Sequence, residues 1–152
     1  MDGRDDGLSD KNSDYVIKDS GKHREFGTGA RRDRKTGKGA YDLVPWEVIH
    51  HIAIHFQKGA EKYTARNWEK GIDCKEYYDS GMRHMAQFYL GLGDENHLIS
   101  AIWNFICLYQ TVLWIQRGEL SEDLYNLPYK SILPMPWEEY LRGRNNDEKS
   151  EA

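Results

Sequence analysis

The chain has 152 residues, a formal net charge of -4, 30% charged residues, two cysteines and five tryptophans. At 17.8 kDa it has room for one modest core and not for two independent domains. A mean hydropathy of -0.83 alongside 12% aromatic residues points to an aromatic core with polar ends, and Cys74 and Cys107 lack the spacing of a zinc knuckle or a disulfide framework.

The opening stretch MDGRDDGLSDKNSDY mixes charge with Gly and Ser and has no apolar export segment, so a cytoplasmic location is expected, that of the host cell if the protein is viral. From Lys22 to Lys38 seven Lys/Arg face two acidic residues, and from Glu119 onward eight acidic residues face four basic ones. Between these zones the chain reads as helices. Pro45 opens the first, to about Glu61, with Trp46, Ile49, Ile52, Ala53, Phe56 and Ala60 on one apolar arc. A loop through Tyr63–Gly71 follows. The second helix runs from about Lys75 to Leu90, with Tyr78, Met82, Met85 and Tyr89 on its apolar face, and stops at Gly91-Leu92-Gly93. Asp94 is the natural N-cap of a third helix, Glu95 to about Arg117, ended by Gly118. Its uncharged stretch Leu98–Ile115 approaches the length of a membrane span, but Ser100, Asn104, Gln110 and Thr111 mark it as a buried helix.

The expected fold is therefore all-α: a small bundle of three to five helices, an irregular Gly/Arg/Lys segment before it and a Pro/Tyr-rich tail packed on it. The domain should span 22–141, between flexible tails at 1–21 and 142–152.

Three constellations can carry chemistry. Phe26-Gly27-Thr28-Gly29-Ala30-Arg31 and Gly37-Lys38-Gly39 combine backbone amides with cations, which suits either a phosphate cradle or a flexible basic arm. Lys62, Tyr63, Asn67 and Trp68 suit either stacking and hydrogen bonding of a base or plain core aromatics. On the third helix His97, Ser100, Asn104 and Thr111 fall within an arc of about 60° at ~100° per residue, a polar seam that needs partners from protein, water or ligand. Asp79 and Arg83 stand four apart on the second helix, and a tight turn would bring its end, with His84, toward Asp94, Glu95 and His97. Carboxylates there suit magnesium, and imidazoles suit manganese or zinc. Glu47, His51 and His55 fall opposite the apolar arc and read as a solvated stripe.

In order, Phe26–Arg31, Gly37-Lys38-Gly39, Asp42–Pro45, Gly59-Ala60 with Lys62-Tyr63, Asn67-Trp68, Lys70-Gly71, Arg83-His84, Asp94-Glu95, His97-Leu98 and Trp103-Asn104 form a series that resembles the N-terminal domain family of phage dATP/dGTP diphosphohydrolases, relatives of the MazG-like all-α pyrophosphohydrolases. The likeness covers roughly residues 25–113. It implies a nucleotide-binding domain that converts a purine deoxynucleoside triphosphate to monophosphate and pyrophosphate with Mg2+ (or Mn2+), assembled as a dimer or tetramer. No membrane partner is expected, and the negative net charge and single aromatic of the basic zone, Phe26, argue against a nucleic-acid partner. On this resemblance Asp94, Glu95, His84 and His97 are the catalytic candidates. Asp94, Glu95, His97, Glu61 and Asp79 are the metal candidates. Arg31, Lys38, Lys62, Tyr63, Asn67, Trp68, Arg83 and Asn104 would bind substrate, which moves the basic segment from loose arm to phosphate handling. One departure stands out: MazG-like enzymes carry Glu-Glu-x-x-Glu, whereas the one Glu-Glu here, Glu138-Glu139, meets Arg142 in place of the third Glu. That leaves two rivals: a non-catalytic phage protein that sequesters a signalling nucleotide, and a nucleic-acid-binding accessory protein.

Overall fold

The computed structural model describes Ile17, Asp19, residues 21–35 and residues 37–133. The expected C-terminal tail lies outside the described residues, as does most of the N-terminal one. The described chain divides into two compact units between Gly39 and Ala40.

The first unit is not irregular throughout. Strands β1 (His23–Glu25) and β2 (Arg31–Asp33) pair antiparallel with Arg24 opposite Arg32. A five-residue turn closes them, the Phe26 amide donating to the Ala30 carbonyl at 2.9 Å and the Gly29 amide to the Phe26 carbonyl at 2.7 Å. Gly29 takes a φ of 82°, which a side chain would resist, so the glycine spacing that suggested a phosphate cradle serves here to turn a hairpin.

The second unit holds α1 (Trp46–Lys62), α2 (Cys74–Tyr89) and α3 (His97–Gln116), with short 3-10 turns at Tyr41–Leu43, Asn67–Lys70 and Glu122–Leu124. The fold is mainly helical, as the sequence pattern implied. Helix α2 ends as glycine spacing predicts: Gly91 adopts a φ of 73° and the Leu92 amide reaches back to the Gln87 carbonyl at 3.1 Å. Gly118 ends α3 in the same way, with the Glu119 amide on the Trp114 carbonyl at 2.8 Å.

Helix α3 is the central element. It is long and apolar enough to cross a membrane by length and composition, yet His97, Ser100, Ala101, Asn104, Cys107, Thr111, Val112 and Ile115 are buried against the rest of the unit. Its partner face on α2 is Cys74, Tyr77 and Gly81, with His84 half-buried one turn on. This corrects the expected face: Tyr78, Met82, Met85 and Tyr89 are exposed. Small residues line the contact: a Cβ on Gly81 would lie 2.8 Å from the Phe105 ring, so the ring or the helix would have to shift to admit one.

Helix α1 packs on α3 through Ile52 and Phe56, while Trp46 and Ile49 of its expected apolar arc are exposed. A chain of rings ties the helices together. Trp114 stacks on Trp68 at 5.4 Å, Trp68 meets Phe56 at 5.7 Å, Phe56 meets Trp103 at 5.8 Å, and Trp103 meets Tyr77 at 6.2 Å. The chain after α3 crosses the α2–α3 seam, where Leu120, Leu124, Tyr125, Leu127 and Leu133 cover Cys74, Val112 and Ile115. The Asn126 side chain accepts from the Lys75 amide at 2.9 Å, satisfying a donor that the first turn of α2 leaves open.

Candidate functional site

The turn from α2 to α3 brings four titratable side chains together. His97 opens α3 and is 2% exposed; its N-cap is Asn96, whose side chain accepts from the Ile99 amide at 3.1 Å. Asp94, the expected cap, is instead bound to His97 Nε2 at 2.7 Å. Because α2 returns antiparallel through a tight turn, His84 Nδ1 sits 3.1 Å from His97 Nδ1. Glu95 Oε1 lies 3.5 Å from each of these nitrogens. Its other oxygen is 3.5 Å from the Ser100 hydroxyl.

The electrostatics follow from these contacts. The hydrogen bond from His97 holds the Asp94 carboxyl below its usual range. His55 on α1 lies tilted against Trp103, ring centroids 5.4 Å apart, and is half-buried; burial lowers its pKa, opposed by the charge of Glu95 and assisted by His84 and Lys58. His55 is therefore partly withdrawn from solvent and feels the charges of Glu95 and His84, which corrects its place in a solvated stripe; Glu47 and His51 are exposed. The arc on α1 centres on Ile52 and Phe56, and a wheel centred there would have carried His55 inward. Behind the cluster the polar seam is real. Ser100, Asn104 and Thr111 are buried, and the Asn104 amide nitrogen donates to the Ser100 carbonyl at 2.8 Å. Among the described residues Trp103 Nε1 is buried without a hydrogen-bond partner.

The other anticipated residues fall elsewhere. Glu61 is exposed, bonded to Gln57 at 3.0 Å, and lies six residues, about 9 Å, further along α1 than His55. Asp79 lies on the exposed side of α2, and Arg83 bonds Ser80 at 3.1 Å and not Asp79. Lys62 lies over the exposed Tyr63 ring at 5.0 Å. Asn67 begins the 3-10 turn whose Trp68 is engaged by Phe56 and Trp114. Arg31 and Lys38 belong to the hairpin unit, where they pair with Glu25 at 3.7 Å and Asp33 at 3.0 Å.

His84, Glu95 and His97 offer donor atoms close enough to share one cation. Magnesium favours six oxygen donors, and this set supplies two imidazole nitrogens for one carboxylate, a mixture suited to borderline transition ions. Exposure of Glu95 beside the buried His97 leaves such a centre open on one side.

Residues 28–120, more than half of the chain, match the family described as dATP/dGTP diphosphohydrolase, N-terminal. No curated protein and no solved structure matches the chain.

Proposed function

The chain belongs to the dATP/dGTP diphosphohydrolase N-terminal family, and we propose that it hydrolyses a purine deoxynucleoside triphosphate to the monophosphate and pyrophosphate at the His84–Glu95–His97 cluster. The family match is the observation that carries this reading. In the reaction, water oxygen bonds to the phosphorus next to the sugar. The bridging oxygen leaves with pyrophosphate, and the water proton passes to a base.

A divalent cation held by His84, Glu95 and His97 would supply Lewis-acid stabilisation of the phosphate oxygens. Glu95, half exposed beside the two imidazoles, is proposed to accept the water proton through the carboxylate oxygen that does not hold the cation. Asp94 positions His97 through the bond at Nε2. Arg83 and Lys62, exposed on α2 and α1, are proposed to neutralise phosphate charge. Tyr63 and Asn67 are proposed to hold the nucleoside. Trp68, already stacked on Trp114, is proposed to brace the turn that carries Asn67. Asn104 completes the polar wall at Ser100. We extend the reading to a homo-oligomer acting in the cytoplasm of a phage-infected cell.

Incubation with each deoxynucleoside triphosphate in Mg2+, Mn2+ or Zn2+ should release pyrophosphate from the purine substrates. Absence of turnover with every combination sinks the proposal. One observation favours a second reading, nucleotide sequestration: the cluster holds one carboxylate ligand where the related enzymes carry several acidic residues. Recovery of a tightly bound nucleotide intact after prolonged incubation with metal would establish it.

A further inference from the structure

We infer that His84, Glu95 and His97 form a zinc-type centre: a tetrahedral site for a borderline divalent ion, Zn2+ above all, with its fourth position open. The inference deepens the reading of this cluster as a metal centre. It rests on donor geometry and not on hydrolysis.

The three donor atoms form a triangle with edges of 3.1, 3.5 and 3.5 Å. Ligands about 2.05 Å from a tetrahedral ion stand about 3.3 to 3.4 Å apart, whereas neighbouring ligands of an octahedral ion at the same distance stand about 2.9 Å apart. An ion at about 2.05 Å from all three donors sits about 0.6 Å off their plane, against about 0.7 Å in an ideal tetrahedron. The triangle thus has the dimensions of three corners of a tetrahedron.

Two further features fit a built centre. The 2.7 Å bond between His97 Nε2 and Asp94 is the carboxylate–histidine arrangement that fixes a ligating ring, and it assigns the Nε2 proton so that Nδ1 presents a lone pair to the triangle. The two Nδ1 atoms, 3.1 Å apart, can share one proton, which a metal ion would displace. The other three-group cluster among the described residues, Asp19, His23 and Asp33, is more exposed, and Asp33 pairs with Lys38 at 3.0 Å. It serves as the control.

The test uses full-length protein stripped with chelator and titrated with Zn2+ by calorimetry and with Co2+ by visible spectroscopy. One Zn2+ per chain is expected at this centre, together with the intense absorption of four-coordinate Co2+. Asp94→Asn, an exposed change at a positioning residue, should weaken Zn2+ by about 10 to 100-fold, and Glu95→Gln by more. His23→Gln should leave the affinity of this centre unchanged. The inference is overturned by the pale spectrum of six-coordinate Co2+, by displacement of Zn2+ by equimolar Mg2+, or by unchanged Zn2+ affinity in both Asp94→Asn and Glu95→Gln. Pyrophosphate release by a protein that binds no Zn2+ would end this inference and spare the enzyme reading. Zn2+ binding without turnover would do the reverse.

Discussion

Gly81→Ala separates the stability of the α2–α3 pair from the competence of the cluster. A Cβ at position 81 would stand 2.8 Å from two atoms of the Phe105 ring. Ordinary carbon contacts lie at about 3.5 to 4.0 Å, so the helices must part by roughly 0.7 to 1.2 Å if the ring stays in place. Overpacking of this kind costs about 1 to 3 kcal/mol, and the better helix propensity of alanine returns about 1, for a net loss of about 0 to 2 kcal/mol. The effect at the site is larger. Residue 81 lies one turn before His84, whose Nδ1 is 3.1 Å from His97 across the same seam, and a displacement near 1 Å typically costs on the order of 100-fold in activity. Denaturant unfolding, pyrophosphate release and Zn2+ affinity should therefore show a nearly native fold with a 10 to 100-fold weaker site. Gly81→Ala/Phe105→Leu should restore it. A single variant that is about 1 kcal/mol more stable than the parent and fully competent would show that Phe105 simply swings aside, and that Gly81 does not set the spacing.

Gly71→Ala should cost about 1 to 3 kcal/mol in denaturant unfolding, because Gly71 holds a φ of 106° and an added Cβ would lie 2.9 Å from Leu124; a change below about 0.5 kcal/mol would contradict this. Burial pushes the Cys107 thiol from an ordinary 9.0 up to about 12. The folded state therefore favours the neutral thiol: the stabilisation is intact below about pH 9 and declines as pH rises toward 12, by about 1.4 kcal/mol per unit for this group, and a flat unfolding profile over that window would refute it. With Trp46 60% and Ile49 40% exposed on α1, sedimentation should show concentration-dependent self-association. Trp46→Lys should reduce it without loss of stability, and a monomer at all concentrations would exclude that face.

The three helices were legible because apolar spacing marks their existence, while Pro45 marks the start of the first and Gly91 and Gly118 the ends of the other two. The faces were harder. On α2 the eye goes to Met82 and Met85, but close approach belongs to Cys74 and Gly81, whose smallness carries no hydrophobic signal. On α1 the large Trp46 drew the arc away from its true centre, and His55 was misplaced with it. The cluster of His84, Asp94, Glu95 and His97 was foreseeable, since a short Gly-rich turn between antiparallel helices leaves few places for their side chains. The exchange of capping duty between Asp94 and Asn96 was not. Both residues can cap, and only the imidazole competing for one of them decides which does. The hairpin was hidden by its brevity: three-residue strands of charged residues carry no alternation, and their partner Lys and Arg charges look the same in a loose arm.

The Gln116 side chain accepts from the Leu133 amide at 2.9 Å and donates to its carbonyl at 3.0 Å, so it grips the backbone as a neighbouring strand would. This clamp is indifferent to which side chain stands at 133. It fastens a cover that begins where the family match ends, at residue 120, and that shields Cys74, Val112 and Ile115. A fragment trimmed to the shared family boundaries would keep every residue of the His84–Glu95–His97 cluster and still expose the sulfur and aliphatic carbons beneath the cover. In this chain the segment that the family match covers is shorter than the packing that shields Cys74, Val112 and Ile115.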